Sequence, residues 1–269
     1  QRQMCIRDRE ADTDKYNNHI TAADWENCDN VSKDGKFVAG ETTFGDLTIN
    51  HNANDRLFSA SGKNYGSNAL ATTAYDDGYT ASGMYYCNGT GGEGRRYIAI
   101  NNVEAGDKIV VYMASSNAAN GTLLFKYLGE DNEQVEKASF TNKGAKYEFV
   151  AKYSGSYKVY TDAAAGKPIY NRVVRIPGVK VSGIIEGVQV SGLKVLFKDD
   201  VNDITYDADV KGNTFTATLA AGCDYTAVLS GVAGYGFSVD TKNVTTTVDE
   251  ALTGKTGVIL KVEEKKVFT

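Results

Sequence analysis

The sequence predicts an all-β fold, built as two antiparallel β-sandwich domains in series. Three observations carry this. Short runs alternating between apolar and polar residues recur along the whole chain, which is the period of a half-buried strand. Turn signals rich in Gly, Asn and Asp separate them at the spacing of a sandwich. The composition favours strands and turns, with 17 Tyr and 28 Gly against 2 Pro. Tyr, Val and Thr fit a pleated surface, and Gly supplies the turn conformations.

In the first half the runs are FGDLTIN (44–50), RYIAINNV (96–103), KIVVYMA (108–114), TLLFKYL (122–128), KYEFVAKY (146–153), SYKVYT (156–161) and IYNRVVRI (169–176). The turns between them include GTGGEG, VEAGD, NAANG, TNKG and YSG. The best helix candidate lies near residues 19–28, one or two turns capped by Thr21. A boundary falls at Pro177–Gly178, since Pro168 is the only other proline. A second series follows: VKVSGIIEGV (179–188), LKVLF (193–197), TFTATL (214–219), YTAVL (225–229), YGFSV (235–239), NVTTTV (243–248) and GVILKV (257–262). Alternation puts Phe215, Ala217 and Leu219 on one face of their strand, and Tyr225, Ala227 and Leu229 on one face of theirs. Residues 10–177 are thus expected to form a jelly-roll sandwich. Residues 178–269 have the strand density of an immunoglobulin-like or transthyretin-like sandwich.

Residues 1–9 are set apart. QRQMCIRD resembles an in-frame translation of a sequencing-library adapter, so a non-native tail that packs against nothing is expected there. The chain then reads as a gene fragment. Of the cysteines outside that tail, Cys28, Cys87 and Cys223, none has CxxC spacing, which argues against zinc. A Cys28–Cys87 disulfide and buried thiols are the alternatives.

The bulk numbers narrow the function. With 42% hydrophobic and 23% charged residues the chain can bury a core. A net charge of −5 without a basic block argues against nucleic acid. No apolar run reaches membrane-spanning length. The sequence has no nucleophile elbow, P-loop, dinucleotide fingerprint or HExxH motif. His19 and His51 have no companion at ligand spacing. Adjacent acidic pairs such as Glu130–Asp131 point to opposite faces of a strand, which does not make an acid/base pair. No cofactor is expected. The one metal expectation is a structural calcium at Asp76 and Asp77, in a loop with oxygen ligands.

Outside the tail the five arginines all fall in the first half: Arg56, Arg95, Arg96, Arg172 and Arg175. A guanidinium fork fits a carboxylate, and a polyuronide carries one on each sugar. Tyrosines gather near the glycine-rich loop. The candidate sugar-binding residues are therefore Arg95, Arg96, Tyr97, Lys126 and Tyr85. Arg95 and Tyr97 are taken to share one face of a strand, and Arg96 is the candidate for a buried ion pair beside Ile98 and Ile100.

Residues 16–177 resemble the jelly-roll accessory modules of secreted bacterial pectate lyases. The resemblance rests on Trp25 upstream of GDLTI, on GTGGEGRRYIAI (89–100), on KIVVYMASS and TLLFKYL, and on the ending GSYKVYTDAAAGKPIYNRVVRI (155–176). Residues 179–262 resemble carboxypeptidase-regulatory, transthyretin-like modules through VSGII, TFTATLAAGCDYTAVL and GYGFS. The resemblances imply a non-catalytic carbohydrate-binding region followed by a spacer, in a secreted or cell-surface enzyme that degrades pectin-like polysaccharide. The expected partner is a polysaccharide, polygalacturonate in particular, met by a monomer. The competing expectation is a structural stalk or adhesin segment without a sugar site.

Overall fold

The computed structural model describes residues 6–7, 20–21, 40–50, 57–59, 73–81, 83–87, 89–115, 120–162, 167–188 and 190–265. The chain is all-β and divides into two compact units. The first comprises residues 1–103 and 109–175, and the second residues 104–108 and 176–269.

The strands opening unit 1 are β1 (Ile6–Arg7), β2 (Ile20–Thr21), β3 (Glu41–Phe44), β4 (Leu47–Asn50), β5 (Leu57–Ser59) and β6 (Met84–Tyr86). They are followed by β7 (Ile98–Val103), β8 (Lys108–Ser115), β9 (Gly121–Tyr127), β10 (Val135–Phe140), β11 (Ala145–Val150), β12 (Gly155–Thr161) and β13 (Pro168–Ile176). Two sheets make the sandwich. One has the order β10-β9-β12-β7-β4-β3, the other β11-β8-β13-β6-β5. The inner faces meet in a core of Leu47, Ile49, Ile98, Ile100, Val111, Phe125 and Val159 with their neighbours. Phe125 stacks on Phe149 at 5.0 Å and on Tyr157 at 4.4 Å, which joins the two layers through aromatic rings. Period-2 alternation explains which side chains remain outside. In β9, Leu123 and Phe125 are buried while Leu124 and Lys126 are only partly so. In β12, Tyr157 and Val159 point inward and Lys158 outward.

Unit 2 holds β14 (Val179–Gly187), β15 (Lys194–Asp199), β16 (Ile204–Asp207), β17 (Asp209–Lys211) and β18 (Thr214–Leu219). It continues with β19 (Asp224–Ser230), β20 (Tyr235–Phe237), β21 (Asn243–Thr245), a single helical turn α1 (Glu250–Thr253) and β22 (Lys255–Glu264). The sheet orders are β17-β18-β14-β22-β20 and β16-β15-β19-β21. Pairing is antiparallel except between β14 and β22, which run parallel with Ile184 opposite Ile259 and Gly187 opposite Val262. Phe197 and Phe215 are buried, with ring centroids 5.7 Å apart. Val195, Leu219, Leu229 and Leu260 are buried as well.

Several local expectations are corrected. FGDLTIN is a hairpin, not one strand: Gly45 turns the chain at φ +58°, and Phe44 pairs with Leu47. The strand expected from residue 96 begins at Ile98, because Arg96 lies in the left-handed region at φ +54°. Thr21 pairs in β2, and the rest of that helix candidate lies outside the described residues. In the expected tail, Ile6 and Arg7 pair in parallel with Ile20 and Thr21, so the tail is not wholly without contact. Cys28, His19, His51 and Arg56 lie outside the described residues, and Cys87 is buried.

Candidate functional site

The outward face of the six-stranded sheet carries the charged side chains of interest. Lys158 of β12 lies directly opposite Lys126 of β9. On its other side it pairs with Ala99 of β7, which leaves room beside the ammonium. Like charges directly opposite in a sheet repel unless something neutralises them. Here Glu93, from the glycine-rich loop, does so. Its carboxylate is 2.5 Å from the Lys126 Nζ, and its main-chain carbonyl accepts a hydrogen bond from the Lys158 Nζ at 2.9 Å. The Lys158 ammonium also sits 3.9 Å from the centroid of the Tyr97 ring, a cation–π contact. The Tyr97 hydroxyl donates to Glu41, which also accepts from the Asn50 side-chain amide at 3.3 Å.

The loop reaches this face through two glycines. Gly91 is buried against Thr161 of β12, and any side chain there would run into the Thr161 hydroxyl. Gly89 adopts φ +149°, and a Cβ on it would come within 2.9 Å of the Arg96 guanidinium carbon. Arg96 closes the loop from the other side. Its guanidinium donates to the Thr90 carbonyl at 2.6 Å, and its main-chain N–H donates to the Asn50 side chain at 3.0 Å.

The charge states follow from these contacts. The hydrogen bond from Lys126 holds the Glu93 carboxyl below the usual range, and the same bond raises Lys126. Burial lowers Lys158, with Glu93 and Glu41 pulling the other way. Burial and then the bond to Glu41 push the Tyr97 hydroxyl up to about 12. At neutral pH the face therefore presents two ammonium groups against carboxylates, with a neutral phenol at their edge.

The sequence-derived candidates separate into three groups. Lys126 and Tyr97 come together on this face. Arg95 is exposed at the loop's exit, with its guanidinium 3.3 Å from the Thr90 hydroxyl. Arg95 does not share a strand face with Tyr97 as alternation predicts, since the left-handed turn at Arg96 interrupts the strand between them. Arg96 is half-buried and bonded to main-chain oxygen, which makes it a fastener of the loop. Tyr85 is a correction. It is 1% exposed, stacks on Tyr170 in the core and donates to the Asn50 carbonyl, so its ring offers no face to a sugar.

Asp76 and Asp77 do not assemble a calcium site. The Asp77 carboxylate accepts from the Tyr112 hydroxyl at 2.6 Å and the Tyr79 N–H at 3.1 Å, and it lies 3.6 Å from the Lys146 ammonium. Those are donors and a cation, the opposite of a metal's demand. Among the described residues no cluster of three or more His, Cys, Asp or Glu could hold a metal ion.

Lys158, Glu93 and Glu41 were missed at the level of sequence. Lys158 was detectable: it interrupts an apolar strand in SYKVYT as Lys126 does in LLFKYL. Glu93 was not, because nothing in GTGGEG says which way the loop folds.

No family model matches the chain. No curated protein matches it either. Among solved structures it is similar to a chain described as the M60 catalytic domain with the CBM51-1 and CBM51-2 domains of ZmpB from Clostridium perfringens. The identity is 11% and the TM-score 0.26, over 65% of this chain and 19% of that one. The present chain thus spans about a fifth of that structure's length. Likeness at that level assigns no ligand. No helix among the described residues is long and apolar enough to cross a membrane.

Proposed function

We propose that the chain is a non-catalytic carbohydrate-binding region that recognises an acidic, pectin-like polysaccharide such as polygalacturonate. It acts as a monomer within a secreted or cell-surface polysaccharide-degrading enzyme. Holding an attached enzyme at its substrate raises the local concentration of reactive bonds without any catalysis by the chain itself. One observation supports the reading above the others. Lys126 and Lys158 stand directly opposite one another on an outward sheet face, and a carboxylate already rests against Lys126. A uronate offers the same group, and Arg95 at the loop's exit adds a planar fork for a second one along the polymer.

The test is affinity electrophoresis of the full chain in gels containing polygalacturonate or a neutral glucan. Retardation is expected with the first polymer only and should fade as salt rises. The double variant Lys126→Ala with Lys158→Ala should migrate freely in both. Equal retardation by both polymers would remove uronate recognition.

A second reading, a stalk or adhesin segment with no sugar site, draws on the arginines. Arg175 is 1% exposed and bonded to the Asn102 carbonyl at 2.8 Å, with Asp46 at 3.5 Å. Arg172 lies over the Tyr79 and Tyr112 rings. With Arg96 tied into its loop, three of the four arginines described from residue 10 onward serve the fold. Free migration of the unmodified chain in both gels would favour this reading.

A further inference from the structure

Glu93 belongs to a six-residue loop whose own conformation does not depend on a carboxylate at that position; the charge serves only to neutralise the opposed lysines. The loop is already held by Gly91 against Thr161 and by Arg96 against the Thr90 carbonyl. The Glu93 main chain already satisfies Lys158. Among the described residues the carboxylate bonds Lys126 alone, with Lys158 adding a weaker field, and its side chain is 53% exposed, so water reaches it and the pair can open. Its pKa is lowered, so it remains charged across the neutral range. Glu133 contributes a weaker field at Lys126, and Glu41 is occupied by Tyr97 and Asn50. Glu93 is therefore the carboxylate that any anionic ligand must displace from Lys126.

We propose that Glu93 is a specificity-determining residue that acts as an internal competitor. It occupies the lysine pair in the free protein and yields only to a ligand bearing closely spaced carboxylates. This rests on the acidic-polysaccharide reading above. A neutral sugar gains nothing by displacing Glu93, since Lys126 would exchange a charged partner for a neutral one. An isolated monouronate exchanges one carboxylate for another at no net gain. A polyuronide replaces Glu93 and engages Lys158 and Arg95 with further sugars, so its advantage comes from several contacts at once. The substrate class is thereby narrowed to unesterified runs, in which adjacent residues all carry charge.

The experiment compares the full chain with its Glu93→Gln and Glu93→Asp variants. Each is titrated with polygalacturonate, with monomeric galacturonate and with highly methyl-esterified pectin. Glu93→Gln should tighten polygalacturonate binding about fivefold at low salt, the worth of one exposed ion pair. It should also bring monomeric galacturonate into measurable range and steepen the salt dependence. Glu93→Asp retains the charge and should stay near the unmodified chain. Equal or weaker binding by Glu93→Gln, with the unmodified chain binding, overturns the competitor role alone. Tightening by Glu93→Asp as large as by Glu93→Gln also overturns it, because loop geometry would then be the cause. Binding by Glu93→Gln where the unmodified chain fails supports it. If no variant binds any of the three ligands, the acidic-polysaccharide reading falls, and the competitor falls with it.

Discussion

Each sheet of unit 1 carries a cation on tyrosine, Arg172 on one and Lys158 on the other, and the two clusters differ in what surrounds them. On the five-stranded sheet the Arg172 guanidinium lies 4.7 Å from the Tyr79 ring and 5.4 Å from the Tyr112 ring. Tyr75 and Tyr112 meet edge-on at 5.0 Å and are both buried. The Tyr75 hydroxyl donates to Asn171 at 2.6 Å, whose side-chain amide donates on to the Gly83 carbonyl. On the six-stranded sheet a single lysine sits over a single half-buried ring, and its carboxylate neighbours are exposed. The chemical ingredients are nearly the same. Arg172 and Tyr79 are half-buried, but burial of Tyr75, Tyr112 and Asn171 beneath them fixes the first set, because a partner removed there leaves a desolvated polar group. Exposure leaves the second set exchangeable, which is what a binding face requires.

The comparison can be broken most directly at the rings. Tyr112→Ala should cost about 3–5 kcal/mol, the usual loss for deleting a buried aromatic side chain. Tyr97→Ala should cost far less, since its ring is only half covered. Chemical denaturation of both variants measures this, and similar losses would erase the distinction between the clusters. The next effect is acid sensitivity. Burial pushes the Asp77 carboxyl up, but the bonds from Tyr112 and Tyr79 and the nearby Lys146 outweigh it and leave the pKa lowered. A lowered folded pKa stabilises the native state above the unfolded value of about 3.9, and that contribution disappears as pH falls through the folded value. Stability should therefore drop below about pH 4, and Asp77→Asn should flatten that limb while lowering neutral-pH stability by about 1–2 kcal/mol. Melting curves from pH 2 to 7 would show it; a variant with an unchanged acid limb would assign the sensitivity to other carboxylates.

A smaller effect is expected at Tyr75→Phe. Removing the hydroxyl leaves Asn171 short of one partner, at about 1 kcal/mol. The smallest effect on the fold belongs to Arg95→Ala, which should leave the melting temperature where it is and weaken polygalacturonate retardation. Unfolding of that variant would move Arg95 into the structural group with Arg96 and Arg175.

What the sequence disclosed follows from the same contrast. Alternation was readable wherever one face of a strand meets the core and the other meets water, as in TFTATL, whose burial alternates residue by residue. It failed for VEKASF, the edge strand β10, where a charged Glu136 takes a half-buried inward position, Lys137 an outward one, and only Phe140 is deeply buried. Charged edges discourage pairing with other chains, and they also hide the strand from a hydrophobic pattern. It failed again at Arg96, because a non-glycine residue at positive φ leaves no compositional trace. Tyr85 was misplaced for a related reason. In MYY all three residues are buried, so the strand has no exposed face for a platform. Lys126 was legible as a charge set among apolar neighbours. Its partners across the sheet depended on register, which no local run contains.

The parallel pairing of β14 with β22 carries a mechanical consequence. The two strands lie side by side and point the same way, with five successive partners in register from Gly183 with Val258 to Gly187 with Val262. Pulling on Val179 at the start of one strand and Glu264 at the end of the other slides the strands along each other. Every hydrogen bond between them is then loaded at once, whereas an antiparallel hairpin pulled from its open end parts one bond at a time. Tension applied through those two residues is resisted in shear by the two longest strands described in unit 2.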